Sequence, residues 1–386
     1  MVHAPGETTL LDGLARDVLH EWAEHGQPTP DPGPVVLAST LPPDDPAVAR
    51  AARAWLAGLR RTANGHPGLF GGLAGHLVGL RLLAVVHPPL ERAADAVATA
   101  LHSAVPRSAA ADPGEGFGFR DYDLVGGPAG VLLAHCVPAA RPGELDAHAT
   151  RLAALCANGA GGLRCTAYEG HEALAWMQGR VNAGLAHGVP GVVVALAAAL
   201  RAGAAGPEVA DALRLLGRWL VAEARCDPRG IVTWPVAGGG SAPTRSEPRQ
   251  AWCYGCPGVA WALWEAGVVL REPGFTALGV TAIRSLCANH DESFHLYGDT
   301  ASDRLGLCHG AAGVLAVADA FATHAGLPRA GALRRRLADH LRAHGDEVVD
   351  LARADMSVLT GAAGLLAALR TASGASRAWL PVIGLR

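Results

Sequence analysis

Apolar positions recur along this chain in one unit, a G-x-x-G tetrapeptide followed at once by an apolar run. The unit occurs six times: GLAGHLVGL from Gly72, GPAGVLLA from Gly127, GVPGVVVAL from Gly188, GCPGVAWAL from Gly255, GAAGVLAVA from Gly310 and GAAGLLAAL from Gly361. Successive starts lie 55, 61, 67, 55 and 51 residues apart, room for two helices and their connections, and self-similarity at such a period marks a repeat architecture. Glycine gives the motif a physical role: with no Cβ in the way, the first turn of the following helix can approach a neighbour's backbone. Between the units lie amphipathic stretches such as PEVADALRLLGRWLVAEAR (207–225) and LRRRLADHLRAHGDEVVDLARA (333–354). The pattern predicts short apolar inner helices inside amphipathic outer ones. Closure into a barrel of helical hairpins, an all-α, α/α toroid of six or seven repeats over residues 1–386 as a single domain, follows because it converges the chemically distinctive residues on one rim. A pair of helices near residues 9–24 and 46–62 supplies the seventh hairpin. Strand signals are sparse: residues 230–240 hold one short extended stretch, leading into a loop at 241–250 that covers one end of the ring.

Composition narrows the function. Half the 386 residues are hydrophobic, 17% are charged and 5% aromatic, enough to bury a large core of Ala, Leu and Val. The net charge of −3 is spread without a basic stripe, which argues against nucleic acid as a partner. All basic residues in the Lys+Arg total are Arg, which carries no functional weight. The N-terminus lacks a basic segment followed by an apolar one, and no run reaches the ~18 apolar residues of a membrane span, so the expected location is cytoplasmic. In that compartment the eight cysteines are thiols or metal ligands.

Two segments carry the chemistry, R-Q-A-W-C-Y-G-C-P-G at 249–258 and L-C-H-G at 307–310, each at the start of a repeat helix. Cys308, His309 and, from the preceding repeat, Cys253 offer two soft thiolates and an imidazole, a set suited to one Zn²⁺ per chain. Three protein ligands leave a fourth tetrahedral position open, the pattern of a catalytic zinc. Cys256 reads as a bystander; as a fourth ligand it would instead make the site structural, in a peptide-binding scaffold.

W-C-Y-G-x-P-G at 252–258, C-H-G at 308–310 and the repeated G-x-x-G turns resemble the zinc-dependent lanthionine synthetases, the LanC-like cyclases that form thioether rings in lanthipeptides. The resemblance implies that Cys253, Cys308 and His309 hold zinc, which takes up a substrate cysteine as thiolate for addition to dehydroalanine or dehydrobutyrine. It also implies a general acid for the resulting enolate. A-H-G places His187 before a repeat glycine, and D-Y-D places Asp121 and Asp123 before another; the resemblance favours Asp123, with Asp121 as the fallback. Arg249 matches a further family position, able to stabilise the enolate oxygen or hold the aspartate. Trp252 and Tyr254 read as packing residues, and His66, His76, His290 and His295 receive no role. Cys256 falls in the variable slot of its motif.

The implied partners are a dehydrated precursor peptide, a separate dehydratase and, from the family, an exporter. Rival readings are a cyclase-like enzyme adding glutathione or another thiol to dehydrated residues, a zinc prenyltransferase, for which the ligand set and the low aromatic content fit poorly, and the scaffold with structural zinc.

Overall fold

The computed structural model describes residues 5–62, 65–104, 116–141, 143–204, 206–239 and 249–386. Each G-x-x-G unit opens a buried helix: α4 (Leu73–Ala84), α6 (Pro128–Ala134), α8 (Val189–Arg201), α10 (Cys256–Leu270), α14 (Ala311–His324) and α17 (Ala362–Ala372). A seventh, α2 (Gly33–Ala38), is fully buried and packs between α17 and α4, closing the ring. The outer layer comprises α1 (Pro5–His25), α3 (Pro46–Thr62), α5 (Glu91–Ala104), α7 (Asp146–Leu155), α9 (Pro207–Glu223), α11 (Pro273–Asn289), α15 (Pro328–Ala343) and α16 (Gly345–Ala354); the short α12 (Glu292–His295) and α13 (Ala301–Leu305) lie before α14. Together these are the α/α toroid. The helices expected near 9–24 and 46–62 are therefore both outer, and the inner helix lies between them. Its sequence D-P-G-P has no G-x-x-G, so the repeat signal passes it by. The stretch 333–354 splits at His344, whose ψ of 28° ends α15 before Gly345 begins α16.

The second glycine of each unit explains the motif. A Cβ on Gly258 would lie 2.2 Å from the carbonyl oxygen of Trp252, and one on Gly313 would lie 2.0 Å from that of Leu307. The backbone that approaches is thus the repeat's own incoming loop, six residues upstream, rather than a neighbour's; the neighbour adds a side chain, Leu185 beside Gly258 and Trp252 beside Gly313. Any side chain at these glycines would push the loop away from its helix.

These incoming loops are stitched to one another around the rim. Leu69 N–H donates to Val125 O, Leu124 to Ala186, Leu185 to Cys253, Cys253 to Cys308 and Cys308 to Leu359, at 2.7–3.3 Å. At the seam the acceptor is a side chain: Asp31 Oδ1 takes Val358 N–H at 3.0 Å and Gly33 N–H at 2.8 Å. Through the interior, Trp379–Leu385 is buried among the inner helices, its Ile383 and Gly384 carbonyls accepting the indole N–H of Trp252 and Trp261, both at 2.9 Å.

Residues 230–240 hold two short strands instead of one, β3 (Val232–Thr233) and β4 (Ala237–Gly238), because each finds an antiparallel partner, β2 (Arg225–Cys226) and β1 (Val181–Asn182). Of the expected loop at 241–250, residues 241–248 lie outside the described residues. Among the described residues no helix is long and apolar enough to cross a membrane.

Candidate active site

The N-terminal ends of the inner helices gather at the stitched rim, and their dipoles favour anionic groups there. Cys253 sits in the loop before α10, three residues ahead of it; Gly255, at φ 83°, turns that loop into the helix in a conformation side-chain-bearing residues rarely adopt. Gln250 Oε1 accepts the first helical N–H, from Cys256, at 2.7 Å. Cys308 and His309 occupy the equivalent loop before α14, and the Cys253–Cys308 backbone bond aligns the two. As a result the donor atoms of Cys253, Cys308 and His309 lie within 4.8 Å of one another. Cys256 is not part of this group; it is fully buried at the start of α10, with Cys287 and Asp227 as its electrostatic neighbours.

The trio is satisfied from within. A hydrogen bond from Cys253 and another from His309 draw the Cys308 thiol well below the ordinary thiol range, while burial pushes Cys253 well above it, and the contact with Cys308 raises His309. Thiols and an imidazole give up protons when a metal binds them, and two sulfurs plus one imidazole match the preference of zinc.

Two repeats away, Asp123 is the carboxylate that reaches His187. Its Oδ2 lies 2.6 Å from His187 Nδ1, and its Oδ1 accepts the N–H groups of Gly126 and Gly127, both at 2.8 Å. Asp123 is buried while the His187 side chain keeps 34% of its exposure, so the ring is anchored at Nδ1 and remains partly open to solvent. Asp121 faces elsewhere, accepting Gly118 N–H at 2.7 Å to cap a single 3-10 turn. Arg249 does not hold the aspartate: its guanidinium donates to the backbone carbonyls of Asp303 at 3.3 Å and His309 at 3.5 Å, and stacks 4.0 Å above the Tyr297 ring. It thus braces the His309 loop and partly opposes the rise that burial imposes on the Cys253 thiol.

The profile of a family described as lanthionine synthetase C-like protein matches residues 42–369, most of the chain. The chain belongs to that family. A solved structure of nisin cyclase shares its fold, with a TM-score of 0.72 over 96% of this chain and 97% of that one at 16% identity, a likeness that speaks to the fold alone. Among curated proteins none matches in sequence.

Within this lanthionine synthetase C-like chain, several contacts around the site lie beyond what sequence reasoning singled out. Tyr122, the middle residue of D-Y-D, donates its hydroxyl to the His187 carbonyl at 3.0 Å. Phe119 stacks on the His187 ring, centroids 5.0 Å apart and planes 21° from parallel. Tyr254, read as a packing residue, accepts a hydrogen bond from Asn182 at 2.9 Å. Tyr122 and Tyr254 stand inside motifs already noticed, so adjacency could have flagged them; Phe119 carries no such signal. Of the histidines without a role, His66 accepts Gly68 N–H at 2.9 Å, and His290 and His295 stack on each other, centroids 5.0 Å apart.

Proposed function

We propose that the chain is a lanthipeptide cyclase, closing lanthionine and methyllanthionine rings in a precursor peptide that a separate dehydratase has already dehydrated. The observation that carries this reading is the convergence of Cys253, Cys308 and His309 to within 4.8 Å on the same rim as the His187–Asp123 pair, in a chain of the lanthionine synthetase C-like family. Cys253, Cys308 and His309 would hold one zinc ion, leaving an open coordination position. When bound there, zinc supplies the charge that brings a substrate thiol from its free pKa of about 8.5 into ionisation at neutral pH.

The substrate's sulfur lone pair forms the bond to the β-carbon of the dehydro residue, and the π pair moves toward the adjoining carbonyl as an enolate. The thiol's proton leaves to solvent; His187, protonated from solvent, then supplies a proton to the α-carbon, and Asp123, buried and already holding two backbone N–H groups, keeps the imidazole turned with Nδ1 inward. Arg249 fixes the carbonyl of His309 and adds positive charge beside the thiolates. The reading places the enzyme in the cytoplasm, where its eight free cysteines stay reduced, upstream of a membrane exporter.

Elemental analysis of wild type beside Cys253→Ala and Cys308→Ala, with circular dichroism for folding, tests the metal. One zinc per chain in wild type, absent from both folded variants, is expected, together with loss of alkylatable cysteine thiols in a dehydrated peptide treated with wild type only. Zinc unchanged in both variants would overturn the site. A gain in peptide mass from added glutathione, with the peptide's own thiols left free, would replace ring closure by intermolecular thiol addition.

A further inference from the structure

The segment Phe119–Asp123 meets His187 on three sides. Asp123 holds the ring nitrogen at 2.6 Å, the Tyr122 hydroxyl holds the backbone carbonyl at 3.0 Å, and the Phe119 ring covers one face at 5.0 Å. A single hydrogen bond at Nδ1 leaves an imidazole free to tilt out of its plane about that anchor. A flat ring against its face removes this freedom, because tilting would open a gap on one side and a clash on the other.

Phe119 is itself held. Its N–H donates to the Tyr168 hydroxyl at 2.8 Å, its ring leans on that of Tyr168 at 5.1 Å and meets Tyr122 edge-on at 6.5 Å, and it is 9% exposed. Tyr168 comes from the connection between α7 and α8, so a second segment of the chain fixes the Phe119 ring that covers His187.

We propose that Phe119, backed by Tyr168, is a positioning residue for the general acid: it sets the plane of the His187 ring so that the proton is delivered along one direction to the α-carbon. This rests on the cyclase reading for its reaction, though the stack exists independently of it. A misdirected proton donor loses rate without losing substrate affinity, since the group acts only after the carbon–sulfur bond has formed.

The test combines histidine-labelled NMR of the substrate-free protein, the His187 resonances being assigned by their loss in His187→Gln, with kinetics on a dehydrated peptide. In Phe119→Leu the His187 ring protons are expected to move downfield as the ring current is lost, and kcat to fall about tenfold with KM and zinc content within about twofold of wild type. Phe119→Tyr, which keeps the ring, restores both. Tyr168→Phe removes only the acceptor of the Phe119 N–H and is expected to give a smaller shift and a smaller fall in kcat; it carries the test if Phe119→Leu does not fold. Unmoved His187 resonances in Phe119→Leu and Tyr168→Phe, unchanged kcat in both, or Phe119→Tyr as impaired as Phe119→Leu would overturn the proposal. Wild type that shows the ring-current shift but no cyclisation would overturn the proposed function instead, so the two failures are distinguishable.

Discussion

The two ends of the ring treat buried charge in opposite ways. Toward the C-terminal ends of the inner helices two buried carboxylates are each matched by two arginines: Glu265 pairs with Arg201 and with Arg386 at 2.9 Å, and Asp319 pairs with Arg377 and with Arg334 at 3.0 Å. Buried Arg370 is enclosed likewise by Asp12 and by the hydroxyl and carbonyl of Thr40. At the rim, Cys253, Cys308 and His309 have one another as partners, and His187, partly exposed, has one carboxylate. Groups neutralised by fixed opposite charges hold helices together. Groups satisfied only by exchangeable protons are available to a metal or a substrate. The contrast teaches that burial of charge does not by itself mark function here; what marks it is how the charge is balanced.

Substitutions at the two ends should separate these roles. The largest effect is expected from His187→Ala, which should lower kcat for peptide cyclisation roughly 10²-fold or more with zinc and fold retained; a loss confined to KM would remove the proton-transfer role. Next, zinc affinity measured by chelator competition should weaken as pH falls. Burial holds the Cys253 proton on to higher pH than in a free thiol, so metal entry must expel it, at about tenfold in affinity per pH unit for each proton released. A flat profile through neutrality would mean that the trio enters the complex already deprotonated.

The far end predicts the converse. Glu265→Gln removes the shared partner of Arg201 and Arg386 and should cost about 1–3 kcal/mol in denaturant unfolding, with zinc content and kcat per folded molecule unchanged. A fall in kcat there would break the division between the ends.

The smallest effect concerns the seam, where the rim borrows the far end's strategy without its counter-charge. Burial pushes the Asp31 carboxyl up to about 7, outweighing the two N–H groups it accepts. A carboxyl whose folded pKa is raised stabilises the fold fully below its unfolded pKa and loses that contribution as pH rises through about 7. Asp31→Asn, which keeps the acceptor oxygen, should therefore flatten the decline in thermal stability between acidic and neutral pH and match or exceed wild type at pH 8. A steeper decline in the variant would show that ionised Asp31 stabilises the seam.

Much of this was legible in the chain. The six G-x-x-G units located six of the seven inner helices because the requirement they meet is local: a carbonyl six residues upstream leaves no room for a Cβ. The helix at Gly33–Ala38 escaped, since the chain reaches that place in the ring through D-P-G-P, and Asp31 bridges to Val358, which lies 327 residues away. The candidate donors Cys253, Cys308 and His309 were readable because each follows from its place in a repeat, and equivalent places in a closed ring become neighbours.

What sequence alone determined, then, is the repeat, its inner and outer faces, and which residue types the rim presents, all properties of spacing and side-chain chemistry. The resemblance favoured Asp123, but spacing and chemistry could not: Asp121 and Asp123 differ by two positions and not at all in chemistry, and tertiary structure decided that Asp121 caps a turn while Asp123 faces His187. It likewise decided that Arg249 braces backbone carbonyls rather than the aspartate, and that Phe119 and Tyr168, 49 residues apart, meet at one ring face. Those choices depend on directions in space that close packing sets and that no local pattern of residues encodes.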